Sequence, residues 1–138
     1  MTDFPTELGV LTCLMILAAS LWIPYIVGVN MYLPEGVNPF QRPHGGEGLP
    51  DWVLRANRAH INLLEQGIPF AVLILILDRI DGFTALTFWT AITFFWLRVA
   101  HALGMITGYA QMPARPIIFT AGWVCVLILA YAVFAARI

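Results

Sequence analysis

The sequence predicts an all-α membrane protein, a four-helix bundle with four transmembrane helices per subunit in one domain spanning residues 1–138. Two observations carry this expectation. The chain is 60% hydrophobic and only 11% charged, with a mean hydropathy of +0.82, which is too apolar for a soluble domain of its size. A hydrocarbon core of about 30 Å takes about 20 helical residues. Four apolar stretches reach that length: Leu8 to Leu33, Trp52 to Leu77, Phe83 to Tyr109, and Ile117 to Ala136.

Asp3 and Glu7 form a short acidic tail before the first span. That span has no basic leader and no small-residue cleavage site, and it is longer than a signal-peptide core, so it reads as retained. Pro24 removes one backbone donor and is expected to kink the helix near its end. From Pro34 to Pro50 the chain turns to Pro, Gly and polar residues, a loop of about seventeen residues, longer than a helical hairpin needs. Asp51 is placed to cap the second span. Asp78-Arg79-Ile80-Asp81-Gly82 reads as a tight turn on the opposite membrane face, and Gln111 to Pro116 as a short connector into the fourth span.

The second span is polar in its first half. At about 100° per residue, Arg55, Arg58, Asn62, Glu65, Gln66 and Pro69 fall within an arc of roughly 100°, a stripe that must face water or protein. The third span mirrors it, with Arg98, His101, Met105, Gly108 and Tyr109 on one face as the chain returns to the long-loop side. Two half-polar helices are therefore expected to meet near that side of the membrane. Arg42, Arg55, Arg58, Arg98 and Arg115 lie toward it and Arg79 and Arg137 toward the other, so the positive-inside rule makes the loop side cytoplasmic.

Net charge is −1, and no basic run is present, which excludes a nucleic-acid role. Cys13 and Cys125 lie within spans and lack metal-site spacing, and His44, His60 and His101 form no ligand cluster, so no metal is expected.

The string Arg58-Ala-His60-Ile-Asn62-Leu-Leu-Glu65, early in the second of four spans, resembles the signature of the membrane-associated proteins in eicosanoid and glutathione metabolism, the MAPEG family. The resemblance covers the whole chain, including the step from Arg98 to His101 and the placement of Arg115 before the fourth span. It implies a homotrimer in the lipid bilayer, with glutathione as co-substrate bound between subunits near the cytoplasmic side. By the same resemblance Arg58, Asn62 and Glu65 hold the tripeptide, His60 reaches a glutathione held mainly by the adjacent subunit, and Arg115 stabilises the thiolate. Arg55, Arg98 and His101 are further candidates for the glutathione site. The membrane would be a bacterial inner membrane or an endomembrane.

The residue chemistry suits that ligand. Two carboxylates and an ammonium call for a guanidinium, an acid and an amide, types that Arg58, Glu65 and Asn62 supply. A cation beside the sulfur raises the thiolate fraction. Two departures stand against the family pattern: Met105 occupies a position where catalytic members often carry tyrosine, with Tyr109 a candidate substitute one turn on, and no cation follows the first span before Arg42. Two functions are therefore expected in competition. One is a glutathione transferase or peroxidase acting on lipophilic electrophiles; the other is a non-catalytic subunit of the same fold, an interaction or scaffold protein in a larger membrane complex.

Overall fold

Five helices build the four spans: α1 (Thr6–Ser20), α2 (Ile23–Tyr32), α3 (Asp51–Arg79), α4 (Ala85–Thr107) and α5 (Ala114–Ala135). This computed structural model describes residues 4–38 and 46–136, and no strand occurs among them. Arg42, His44, Arg137 and the middle of the expected long loop lie outside the described residues. The membrane-crossing units are Thr6–Tyr32, Asp51–Arg79, Ala85–Thr107 and Ala114–Ala135.

The first span, Thr6–Tyr32, is interrupted ahead of Pro24 as expected, with Leu21 and Trp22 still in the right-handed helical region. α1 ends at Ser20 and α2 begins at Ile23, with Pro24 in the first turn of α2. The cause lies four residues back, because a proline ring collides with the carbonyl of residue i−4, here Ser20. The Trp22 indole Nε1 donates to the Ala19 carbonyl at 2.7 Å, satisfying one acceptor at the break.

Helix ends elsewhere follow local chemistry. Pro50, not Asp51, precedes α3, and Asp51 sits in its first turn without a capping bond, where a carboxylate still favours the positive helix end. At the far end Asp81 adopts φ 53°, Gly82 N–H donates to Leu77 O at 2.8 Å, and Asp81 N–H donates to Asp78 O at 3.2 Å. That pair of bonds closes the helix as a Schellman turn. α4 opens on a reciprocal capping box between Thr84 and Thr87.

The core is shared by α1, α3, α4 and α5, while α2 packs mainly on α3. Phe70 of α3 stacks on Phe94 of α4 with centroids 4.2 Å apart and planes 5° from parallel. Leu14, Ile74, Leu77, Ala91 and Leu129 are fully buried around them. A smaller cluster of Val29, Leu49 and Val53, flanked by Tyr25, Leu33 and Trp52, fixes α2 and the end of the long loop to the start of α3.

Glu7 departs from expectation. It belongs to the first turn of α1 and is only 5% exposed, its Oε1 accepting from the Thr87 hydroxyl of α4 at 2.8 Å.

Four alternating spans set Glu47 and Asp78 at opposite ends of the bundle, both exposed. Single cysteines at these two positions should react with a membrane-impermeant maleimide from opposite sides of sealed vesicles; labelling of both from one side would disprove the topology.

Candidate functional site

Asn62 of α3 and Arg115 of α5 come together. With Met112, Pro116, Phe119 and Thr120 they line a cavity of about 340 Å³ at the long-loop end of the bundle. Arg115, read from sequence as part of the connector, lies in the first turn of α5. Asn62 Nδ2 donates to the Arg58 carbonyl at 2.7 Å, so the amide plane is held and its oxygen remains an acceptor.

The rest of the α3 stripe turns outward. Arg58, Glu65 and Pro69 are exposed on the single chain, Asn62 and Arg55 are half-buried, and only Gln66 enters the core. Neither the Arg58 guanidinium nor the Glu65 carboxylate meets a side-chain partner among the described residues, and Pro69 leaves the Glu65 carbonyl without its helical donor. At 1.5 Å per residue Glu65 stands about 20 Å along α3 from Asp51, deep within the span. His60 points away from this stripe, half-buried, with Nδ1 buried and unpartnered.

Arg55 has a different setting. Its Nε donates to the Met105 carbonyl at 3.0 Å, and its guanidinium lies so close to Gly108 that a Cβ there would be 3.2 Å from Nη2. Gly108 takes φ 85°, the left-handed conformation that glycine adopts without steric cost. Arg55 thus closes the negative end of α4.

That helix end also relocates Tyr109. The sequence puts it on the α4 face with Arg98 and His101, but α4 stops at Thr107, and Tyr109 lies beyond the turn, 87% exposed. Met105 stays on the face and is buried in the core at 2% exposure. Thr120 brings a hydroxyl-bearing side chain to the cavity lining.

Beneath the cavity lies a polar layer shared by three helices. Arg98 is 1% exposed; Nη2 donates to Ile118 O at 3.0 Å, and the guanidinium carbon sits 5.5 Å from the Phe94 ring centroid. Gln66 Nε2 donates to Phe119 O at 3.1 Å. Both side chains crowd Gly122, where a Cβ would fall 2.4 Å from Arg98 Nη2 and 2.6 Å from Gln66 Oε1. Sequence reasoning missed Gly122, although small residues let helices approach closely within membranes. Arg98 Nε and Nη1, Gln66 Oε1 and His101 Nε2 are buried without partners. Polar atoms with unused hydrogen-bonding capacity therefore gather at this end of the bundle.

Among the described residues, no group of three or more His, Cys, Asp or Glu side chains is placed to hold a metal ion. Cys13 and Cys125 are free thiols.

Four apolar helical spans with a polar layer buried between three of them define an integral multi-pass membrane protein. The MAPEG family model matches residues 9–135 of the 138-residue chain, and the chain belongs to that family, which is associated with glutathione in general. No match was found among curated proteins or solved structures.

Packing at Gly122 gives a differential test. Gly122→Ala should destabilise the protein by about 1–3 kcal/mol through overpacking, whereas Gly67→Ala, whose added methyl would meet nothing closer than 3.9 Å, should be neutral or stabilising by up to about 1 kcal/mol. Thermal unfolding of both variants in detergent measures the difference; equal midpoints would refute the tight Arg98–Gln66–Gly122 contact.

Proposed function

We propose that the protein is a glutathione-dependent membrane enzyme, a transferase or peroxidase acting on lipophilic electrophiles, and that it works as a homotrimer. The observation that carries this reading is the shared cavity of Asn62 and Arg115, which joins a tripeptide-holding amide to a cation suited to sulfur. The unpartnered polar atoms of Arg98, Gln66 and His101 fit a ligand with several donors and acceptors, and the Arg115 guanidinium in the cavity suits an anionic one.

The oligomer follows from the stripe. Exposed Arg58 and Glu65 on the outer face of a membrane-spanning helix cannot be left against hydrocarbon, where each charge costs several kcal/mol. A second copy covering that face turns the stripe into a wall of an inter-subunit site. Arg58 then grips a glutathione carboxylate, Glu65 takes the ammonium, and Asn62 meets a peptide group. His60, on another side of α3, reaches the site of an adjacent subunit. Arg55, already committed to the end of α4, contributes by position, and Arg98 and His101 form the floor. We place the polar site on the cytoplasmic side by its arginine bias, in a bacterial inner membrane or an endomembrane.

When bound, glutathione supplies the thiol that attacks the electrophile or peroxide. Arg115 favours the charged sulfur, because a guanidinium within about 4–6 Å stabilises a thiolate and a partly dehydrated site strengthens the attraction. Thr120 offers the cavity a hydroxyl donor.

A second reading, a non-catalytic scaffold subunit in a larger membrane complex, is favoured by Met105 and Tyr109. The first is buried and carries no hydroxyl, and the second lies beyond the end of α4.

Calorimetric titration of the purified protein with glutathione separates the two readings, since a scaffold has no need to bind it. Binding should be observed in the parent and lost in Arg58→Leu. Arg115→Ala should leave affinity within about threefold while lowering the thiolate absorbance of bound glutathione at neutral pH about tenfold, equivalent to about 1.4 kcal/mol. No binding by the parent would overturn the enzyme, and an unchanged thiolate signal in Arg115→Ala would remove Arg115 from its role.

A further inference from the structure

The end of the bundle opposite the glutathione cavity holds a second polar feature. Glu7 is buried to 5% exposure, and among the described residues its hydrogen bond is the one its Oε1 accepts from Thr87 Oγ1 at 2.8 Å. No described cation pairs with it. A buried carboxylate with one hydrogen bond and no counter-charge is costly, and the positive end of α4 offsets only part of that cost. The capping groups of α4 are themselves occupied: Thr84 N–H donates to Thr87 Oγ1 at 2.8 Å, and Thr87 N–H to Thr84 Oγ1 at 3.4 Å.

Glu7 also lines an open depression of about 410 Å³ with Phe83, Thr84, Ala85 and Phe88. Its wall therefore combines a carboxylate, a hydroxyl and two aromatic side chains. The carboxylate repels anions, and a single acidic group is too few for a metal. An alkylammonium ion meets all three kinds of lining: its N–H groups donate to Glu7 and Thr84, and its charge is attracted to aromatic faces. The depression is bounded by the first turns of α1 and α4, so it opens where a transmembrane helix enters the headgroup layer.

We propose that Glu7, Thr84, Phe83 and Phe88 form a site for a primary alkylammonium group, supplied by the headgroup of an aminophospholipid such as phosphatidylethanolamine. The site is independent of the glutathione cavity and of the activity proposed for it. Glu7 supplies the charge, Thr87 holds one of its oxygens, and the two aromatic side chains flank the ammonium.

Native mass spectrometry of the full-length protein, released from nanodiscs containing equal amounts of phosphatidylethanolamine and phosphatidylcholine, tests this directly. The two lipids have the same net charge and differ in N–H donors. The parent should retain phosphatidylethanolamine about tenfold over phosphatidylcholine, with intermediate retention of the N-monomethyl and N,N-dimethyl lipids. Glu7→Gln keeps an acceptor for Thr87 and removes the charge, and should reduce the preference to about twofold or less. Soluble glycerophosphoethanolamine distinguishes the source: displacement of the lipid means that the headgroup alone suffices, and failure to displace means that the lipid is the ligand. Equal retention of all four lipids by the parent would overturn the proposal even if Glu7→Gln failed to fold. An unchanged preference in Glu7→Gln would overturn it as well and leave Glu7 as a pin between α1 and α4.

Discussion

The packing of Arg98 between three helices is the constraint on which the long-loop half of this bundle depends. A guanidinium buried to 1% exposure within a membrane protein needs acceptors at fixed positions, and α5 provides one as the Ile118 carbonyl. The contact requires α5 to approach closely, which Gly122 permits, and the same approach lets Gln66 of α3 reach the Phe119 carbonyl. The spacing of α3, α4 and α5 is thus set by polar side chains reaching α5 carbonyls, with the Phe70–Phe94 stack filling the layer below. Lipid supplies little hydrophobic drive for helix association, so contacts of this kind decide where the helices lie.

That arrangement also gives the cavity its character. Because Arg98 and Gln66 spend some of their donors on α5 backbone and leave other polar atoms unmatched, the floor beneath Asn62 and Arg115 is ordered but not saturated. Arg55 closes α4 at Gly108. Three arginines thus take distinct parts: Arg55 ends a helix, Arg98 spaces three, and Arg115 lines the cavity.

The four spans were legible because hydropathy depends on composition over about 20 residues, which no tertiary contact alters. The polar stripe on α3 was legible for a similar reason: its members share a face at helical spacing in any surroundings. The direction of that face was not, since a helical wheel carries no information about neighbours: Arg55, Asn62 and Gln66 meet α4 and α5, while Arg58, Glu65 and Pro69 look away from the bundle. Tyr109 failed for a local reason, because Gly108 was counted as a face residue when its left-handed φ ends the helix. Glu7 failed for a non-local one. Its partner Thr87 lies eighty residues away, and nothing near Glu7 in the chain marks it as buried.

The break between α1 and α2 carries a mechanical consequence. It divides the first span between two separately packed cores: α1 is bound into the main one, while α2 shares a small cluster with the start of α3 and the end of the long loop. Stability in such a protein is apportioned by segment, so α2 can loosen without disturbing the Phe70–Phe94 layer or the anchoring of α1. The portion of the first span that leads into the long loop is therefore the portion least tied to the main core, and it can shift while the remainder of the frame keeps its shape.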